Sequence, residues 1–207
     1  YRRVPNDVGV HAARMYLPDT SIANEERMLD EHALTAARDL STIRPDVVVF
    51  SCTSAGALRG ELFESRLCKE ISAITGAPTV STLAAVRDEL ERIGARTVAV
   101  PTPYQDVLHD KIQASLEAGG PRVAAIHGMQ ITDGLEIAAV TPDDIEQFAL
   151  DRLTGVRADA LFVSCCTFRA FDARPGLQRK LGLPVVTSNQ AALRGALGHL
   201  GVTVSGI

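Results

Sequence analysis

The chain has 207 residues, 46% of them hydrophobic and 22% charged, enough for one globular domain or two small ones. Its formal charge of -4 and its lack of any basic cluster argue against nucleic acid as a partner. No apolar run reaches the ~20 residues that a membrane-spanning helix needs, so no membrane is expected either.

Val8 to His11 reads as a first short strand. Ser21 can then cap a helix whose apolar positions Leu29, Ala33, Ala36, Leu40 and Ile43 recur every three to four residues, with Arg44-Pro45 ending it. Asp46 to Cys52 is a β-branched and aromatic run suited to a buried parallel strand. A helix carrying Leu67, Cys68, Ile71 and Ile74 follows and stops at Gly76, with Cys68 on its core side. Ser81 or Thr82 opens another, with Leu83, Val86, Leu90 and Ile93 on one face and Gly94 closing it. Thr97 to Pro101 is the next strand. Thr102-Pro103 and Thr141-Pro142 each place proline after a capping residue, so each predicts a helix start, the first running through Tyr104 to Leu116. Between them, Ala124 to His127 forms a strand, and Asp159 to Cys165 forms a later one. The last helix, about 189 to 200, should pack back on the first half. His32, His109 and His199 fall in helical segments and are expected to face solvent. No histidine is spaced for a metal site with the cysteines.

The two halves repeat each other. Asp46-Val-Val-Val-Phe-Ser-Cys52-Thr53 parallels Asp159-Ala-Leu-Phe-Val-Ser-Cys165-Cys166. Gly76-Ala-Pro78-Thr-Val-Ser81-Thr82 and Ala84-Ala85-Val86-Arg87 parallel Gly182-Leu-Pro184-Val-Val-Thr187-Ser188 and Ala191-Ala192-Leu193-Arg194. Each half also has a histidine strand upstream of its cysteine. Such self-similarity predicts an α/β fold of two pseudo-symmetric lobes, each a parallel sheet flanked by helices, with ligands between them at the carboxyl ends of the strands. The first lobe would comprise residues 1–82 and 188–207, the second 83–187. The second opens with a strand and helix that have no first-lobe counterpart, so roughly 20 to 30 residues are expected to be missing from the front of the first.

The repeat delivers one thiol per lobe, Cys52 and Cys165, to a strand end that precedes a helix. Backbone N–H groups and the helix dipole there favour thiolate, which makes each sulfur a candidate base or nucleophile. Thr53 and Ser54 beside one, and Cys166 and Thr167 beside the other, offer backbone donors for a carboxylate or enolate oxygen. Two opposed thiols can work on both faces of one carbon, or one can add to a double bond while the other supplies a proton. Each residue also has a plain structural role. Thr53, Ser54, Ser81, Thr102 and Thr187 suit helix caps, Tyr104 can simply bury its ring, and Cys166 should point to the opposite side of its strand from Cys165.

Phe162-Val-Ser164-Cys165-Cys166-Thr167-Phe168-Arg169-Ala170, then Leu181-Gly182-Leu-Pro184-Val-Val-Thr187-Ser188-Asn189-Gln190-Ala191, resembles the aspartate/glutamate racemase superfamily. The branch it looks most like holds maleate cis-trans isomerases, arylmalonate decarboxylases and the related ectoine-utilisation proteins. Cys52-Thr53-Ser54 and Thr102-Pro103-Tyr104 resemble that branch's first catalytic position and its substrate-contacting tyrosine loop. The resemblance implies a cofactor-independent enzyme with its active site in the interlobe cleft. Cys52 and Cys165 would be the catalytic pair, Thr53 and Ser54 carboxylate binders, and Tyr104 a hydroxyl donor; Cys166 and Thr167 join the substrate-binding candidates through their backbone donors alone. The branch's decarboxylases have glycine at the position of Cys52, which favours isomerisation or racemisation here.

The expected function is therefore isomerisation or racemisation of a small carboxylic acid, with decarboxylation as the alternative in the same fold. A thiol redox protein and a two-lobed small-ligand binding module are the competing classes, although no C-x-x-C motif supports the first. Four cysteines without the dense spacing of a disulfide scaffold fit reduced thiols in a cytoplasm. Apolar helix faces make a homo-oligomer the expected assembly, and no cofactor or metal is called for.

Overall fold

The computed structural model describes residues 3–203. The first half opens with α1 (Ile22–Arg27), a π-helical turn (Met28–His32) and α2 (Ala33–Ser41), which together form one interrupted helix. Ser21 holds the N-cap backbone conformation without a side-chain cap bond; its amide donates instead to Asp19 Oδ1 at 2.9 Å. The wider π turn re-phases the apolar stripe, so Met28, Leu29, Ala33, Ala36 and Ala37 are buried. Ile43, predicted on the same stripe, lies past the helix end and is 45% exposed. Arg44 then takes a positive φ of 50° where the helix was expected to stop.

Next come β1 (Val48–Phe50), α3 (Thr53–Leu58), α4 (Glu61–Thr75), β2 (Thr79–Ser81) and α5 (Thr82–Arg92). β1 and β2 pair in parallel with Val48 opposite Thr79. Ser81 Oγ accepts from the amides of Leu83 and Ala84, both at 3.2 Å, and so caps α5. The expected strand at Val8 to His11 is absent. Its residues are half-buried to exposed and pair with no ladder, the Val8 amide bonding only back to the Pro5 carbonyl. Among the described residues the first sheet thus has two strands and the second four.

The second sheet contains β3 (Thr97–Thr102), β4 (Arg122–Gly128), β5 (Ala160–Val163) and β6 (Val185–Thr187), all parallel in the order β4-β3-β5-β6. Its helices are α6 (His109–Glu117), α7 (Gly134–Ala139), α8 (Pro142–Leu153), α9 (Ala170–Leu181) and α10 (Ser188–His199). Val98, Val100, Leu161, Phe162 and Val163 are almost wholly buried, as near-continuous apolar parallel strands should be. Thr141-Pro142 starts α8 as expected, with a complete capping box to Asp144. Thr102-Pro103 does not start a helix. β3 continues through Thr102, the amides of Met129 and Ile131 hold the Thr102 and Pro103 carbonyls at 3.0 and 2.8 Å, and helical turns begin only at Asp106. Tyr104 consequently sits in a loop. His109 was expected in solvent but is buried at the start of α6, facing Gly128 of β4. α7 was not foreseen.

The architecture is α/β with parallel sheets flanked by helices. β3 is followed by a connection to β4 on one side, and β5 by a connection to β6 on the other. The crevice between the carboxyl ends of β3 and β5 is therefore a topological switch point, the place where such sheets bind ligands. Tyr104 and Cys165 follow those two strands. α10 then packs on α5, β1 and β2, joining the second sheet to the first half.

Candidate active site

Cys52 leaves β1 in an extended conformation, φ -150° and ψ 110°, and stands at the N-cap of α3. Its carbonyl accepts the Gly56 amide at 3.1 Å, which fixes the turn, and its half-buried sulfur lies 3.9 Å from Ser54 Oγ. Thr53 and Ser54 are both buried. Thr53 Oγ1 donates to Ser188 Oγ at 2.9 Å, and Ser54 Oγ donates to Oε1 of Glu25 on α1. Ser188 Oγ also accepts the Cys165 amide at 3.0 Å. One hydroxyl at the head of α10 thus ties the first-half cysteine loop to the second.

Cys165 is buried and adopts φ 129°, a conformation that side chains other than glycine rarely hold unless their surroundings compel it. Three bonds compel it here: its amide to Ser188, the Thr167 amide donating to its Sγ at 3.3 Å, and the Tyr104 hydroxyl donating to the same sulfur. This backbone break also overturns an expectation. Regular strand alternation would send Cys166 away from Cys165, but the strand ends at Val163 and the positive φ returns both sulfurs to the same cleft. Cys166 Sγ sits between Thr53 Oγ1 at 3.6 Å and Thr82 Oγ1 at 3.7 Å, while Asn189 Nδ2 donates to its carbonyl at 2.9 Å.

The cleft has a volume of about 560 Å³. Cys52, Thr53, Ser54, Tyr104, Cys165 and Cys166 all line it, as does Thr167, so the residues singled out from the sequence meet in one place. Elsewhere its wall is mostly apolar, from Leu17, Met28, Ala33 and Ile137. All four cysteines are free thiols. Among the described residues no cluster of three or more His, Cys, Asp or Glu side chains is arranged to hold a metal ion.

The electrostatics correct the expectation of ready thiolates. Burial, joined by the Glu25 charge, pushes the Cys52 thiol well above its usual range, and the Ala55 amide offsets only part of this. Burial also pushes Cys165 up to about 11, although the Tyr104 hydroxyl and the Thr167 and Phe168 amides pull the other way. Tyr104 itself is raised far above the ordinary phenol range by burial and by the three sulfurs near it. Both thiols carry their protons at neutral pH. The helix start is too weak to outweigh desolvation.

Sequence reasoning missed Glu25, Thr82 and Ser188 as parts of this site. For Thr82 and Ser188 the signal was present, since they are equivalent in the repeats Ser81-Thr82 and Thr187-Ser188. Glu25 carried none, because an acid in the first turn of a helix is ordinary.

The family model described as arylmalonate decarboxylase matches residues 8–206. Maleate isomerase of Geobacillus stearothermophilus is 26% identical over 184 residues, spanning 86% of this chain and 72% of that protein. Arylmalonate decarboxylase of Bordetella bronchiseptica is 29% identical over 166 residues, spanning 78% and 68%. Among solved structures, a doubly substituted arylmalonate decarboxylase in its liganded form superposes with a TM-score of 0.86 at 25% identity, covering 92% of this chain and 81% of that one. A cysteine-to-serine variant of Nocardia farcinica maleate cis-trans isomerase with a covalently bound succinylcysteine intermediate superposes with a TM-score of 0.88 at 22% identity, covering 97% and 84%. The match over almost the whole sequence places this chain in the arylmalonate decarboxylase family.

Proposed function

We propose that the protein is a cofactor-independent cis-trans isomerase of a small unsaturated dicarboxylic acid of the maleate type, working through Cys52 and Cys165. The observation that carries this reading is that thiols from both halves line one cleft, with Tyr104 bonded to the second. In the mechanism, the Cys52 S–H proton passes to an acceptor in the first-half wall of the cleft, to be returned when the carbon–sulfur bond later breaks. The sulfur electron pair adds to one alkene carbon, and the π electrons move to the adjacent carbon and its carboxylate. Cys165, protonated at neutral pH, is suited to supply a proton to that carbon. Rotation about the new single bond, return of the proton to Cys165 and loss of the Cys52–carbon bond then give the trans acid. In this reading Thr53 and Ser54, which line the cleft, hold a carboxylate of the substrate, and the mostly apolar wall lowers the polarity around the carbanion. The succinylcysteine adduct in the Nocardia farcinica isomerase supports the covalent step by analogy.

Conversion of maleate, followed by proton NMR in heavy water, tests the reading. Turnover is expected for the native chain, falling by roughly three orders of magnitude or more in both Cys52→Ala and Cys165→Ala. Unimpaired turnover by Cys52→Ala would overturn the two-thiol mechanism. Decarboxylation is the second reading, supported by the family match and by the 29% identity to the Bordetella bronchiseptica enzyme. Release of carbon dioxide from an arylmalonate that needs Cys165 but survives Cys52→Ala would establish it.

A further inference from the structure

We propose that Glu25 is a positioning residue that takes the Cys52 proton through Ser54, so that the nucleophilic sulfur forms without adding charge to the site. The proposal rests on Cys52 being the nucleophile, though not on which acid is turned over.

Glu25 lies on α1, outside every motif that marks the cleft, and is 0% exposed. Its Oε1 accepts the Ser54 hydroxyl, and its Oε2 meets no donor among the described residues. A carboxylate buried with one oxygen unmatched is costly to keep unless it does something. Ser54 has a single hydroxyl proton. With that proton directed at Glu25, the oxygen's lone pairs are what it can offer to Cys52 Sγ, 3.9 Å away and within reach of an S–H donor. The order Cys52 S–H, Ser54 O–H, Glu25 carboxylate is the direction a proton would travel. In the step, the Cys52 S–H bond breaks with its electron pair left on sulfur, Ser54 Oγ receives that proton, and the original Ser54 proton passes to Glu25. One negative charge is present before and after.

That conservation matters here. Ionising Cys52 into solvent would put a second negative charge beside Glu25, and burial already opposes the first. Moving the proton internally avoids the like-charge pair, and the two groups then titrate as one unit. The other carboxylates that line the cleft are engaged elsewhere, Asp19 by the Ser21 amide and Asp133 by the amides of Leu135 and Glu136. Glu26, on the same helix, is held with Asp30 by Arg59 from the end of α3. From the second half, Tyr104 approaches Cys52, and burial holds its hydroxyl proton far above the ordinary phenol range. Burial raises Glu25 to about 7, which makes it an acceptor that ionises near neutrality.

Alkylation of Cys52 in the full chain by iodoacetamide tests this without any substrate. Peptide mass spectrometry would quantify the Cys52 adduct between pH 5 and 9, with Cys68 on α4 as an internal control for folding. The native chain should show a rise in Cys52 rate with an inflection near pH 7. Glu25→Gln and Ser54→Ala should each lower the rate about tenfold at pH 8 and remove the inflection, leaving Cys68 unchanged. If Glu25 were only a nearby charge, Glu25→Gln would relieve repulsion and Cys52 would react faster. A faster or unaltered rate in Glu25→Gln, or an inflection that survives in Ser54→Ala, overturns the proposal. Loss of maleate turnover with these alkylation results intact would count against the substrate reading alone.

Discussion

Tyr104 bears directly on the acidity of Cys165. Its hydroxyl donates to the sulfur and stabilises the thiolate, against the stronger effect of burial. Tyr104→Phe removes a hydrogen bond to a group that becomes charged, worth about 1.5 kcal/mol, so the Cys165 thiol should move further up. Its alkylation at pH 9 is expected to slow by about tenfold while the Cys52 rate stays within a factor of two or so. An unaltered Cys165 rate would mean that the hydroxyl does not reach the sulfur in solution. The sequence marked Cys165 through the internal repeat and Tyr104 through resemblance, yet their contact arises from something no local pattern encodes. β3 and β5 are neighbours only because the chain crosses over between them, and β3 runs on through Thr102, one residue past the predicted strand end.

Helix caps and a close strand approach give the next set of expectations. Thr141 and Asp144 form a complete capping box on α8, whereas Ser21 occupies the N-cap of α1 with no side-chain bond to the helix amides. Thr141→Ala should cost about 1 kcal/mol and lower the melting temperature by roughly 2 to 4 °C, and Ser21→Ala should cost less than about 0.5 kcal/mol. Equal losses in thermal melts would contradict the difference in capping. Gly128, at the end of β4, has a more demanding role. A methyl group there would meet the Tyr104 carbonyl oxygen inside van der Waals contact and His109 Nε2 at 2.8 Å. Backbone cannot yield as a flexible side chain does. Gly128→Ala is expected to destabilise by about 2 to 4 kcal/mol and to displace the Tyr104 loop, so turnover should fall even in the fraction that remains folded. Nothing in the spacing of the sequence announced this contact.

For the whole molecule, Glu25 sets a pH dependence of stability that can be separated from catalysis. Its folded pKa of about 7 lies above the ordinary carboxyl value of 4.5, so between these values the native state holds a proton that the unfolded chain has released. The stability this provides is complete below about pH 4.5 and is lost as pH rises through 7. Glu25→Gln lacks the transition. Relative to the native chain, the variant should therefore gain stability between pH 5 and pH 8, by up to about 3 kcal/mol for a shift of this size. Urea unfolding at the two pH values measures it, and a constant difference would place Glu25 in a more solvated setting than the fold gives it.

The duplicated strands, the α5 and α8 caps, and the convergence of Cys52 and Cys165 on one cleft were legible because they rest on short-range chemistry repeated twice: apolar runs of strand length, hydroxyl residues before helices, and matched flanks. Other features depended on neighbours remote in sequence. Val8 to His11 had strand composition but no ladder to join, and burial in the assembled cleft reversed the expected acidity of the thiols. The positive φ at Cys165 brought Cys166 in beside it, because bonds from Ser188, Thr167 and Tyr104 outweigh the intrinsic preference of the backbone. Glu25 is part of the site only because α1 packs across α3. Desolvation and long-range hydrogen bonds are properties of the packed chain, and no window along the sequence contains them.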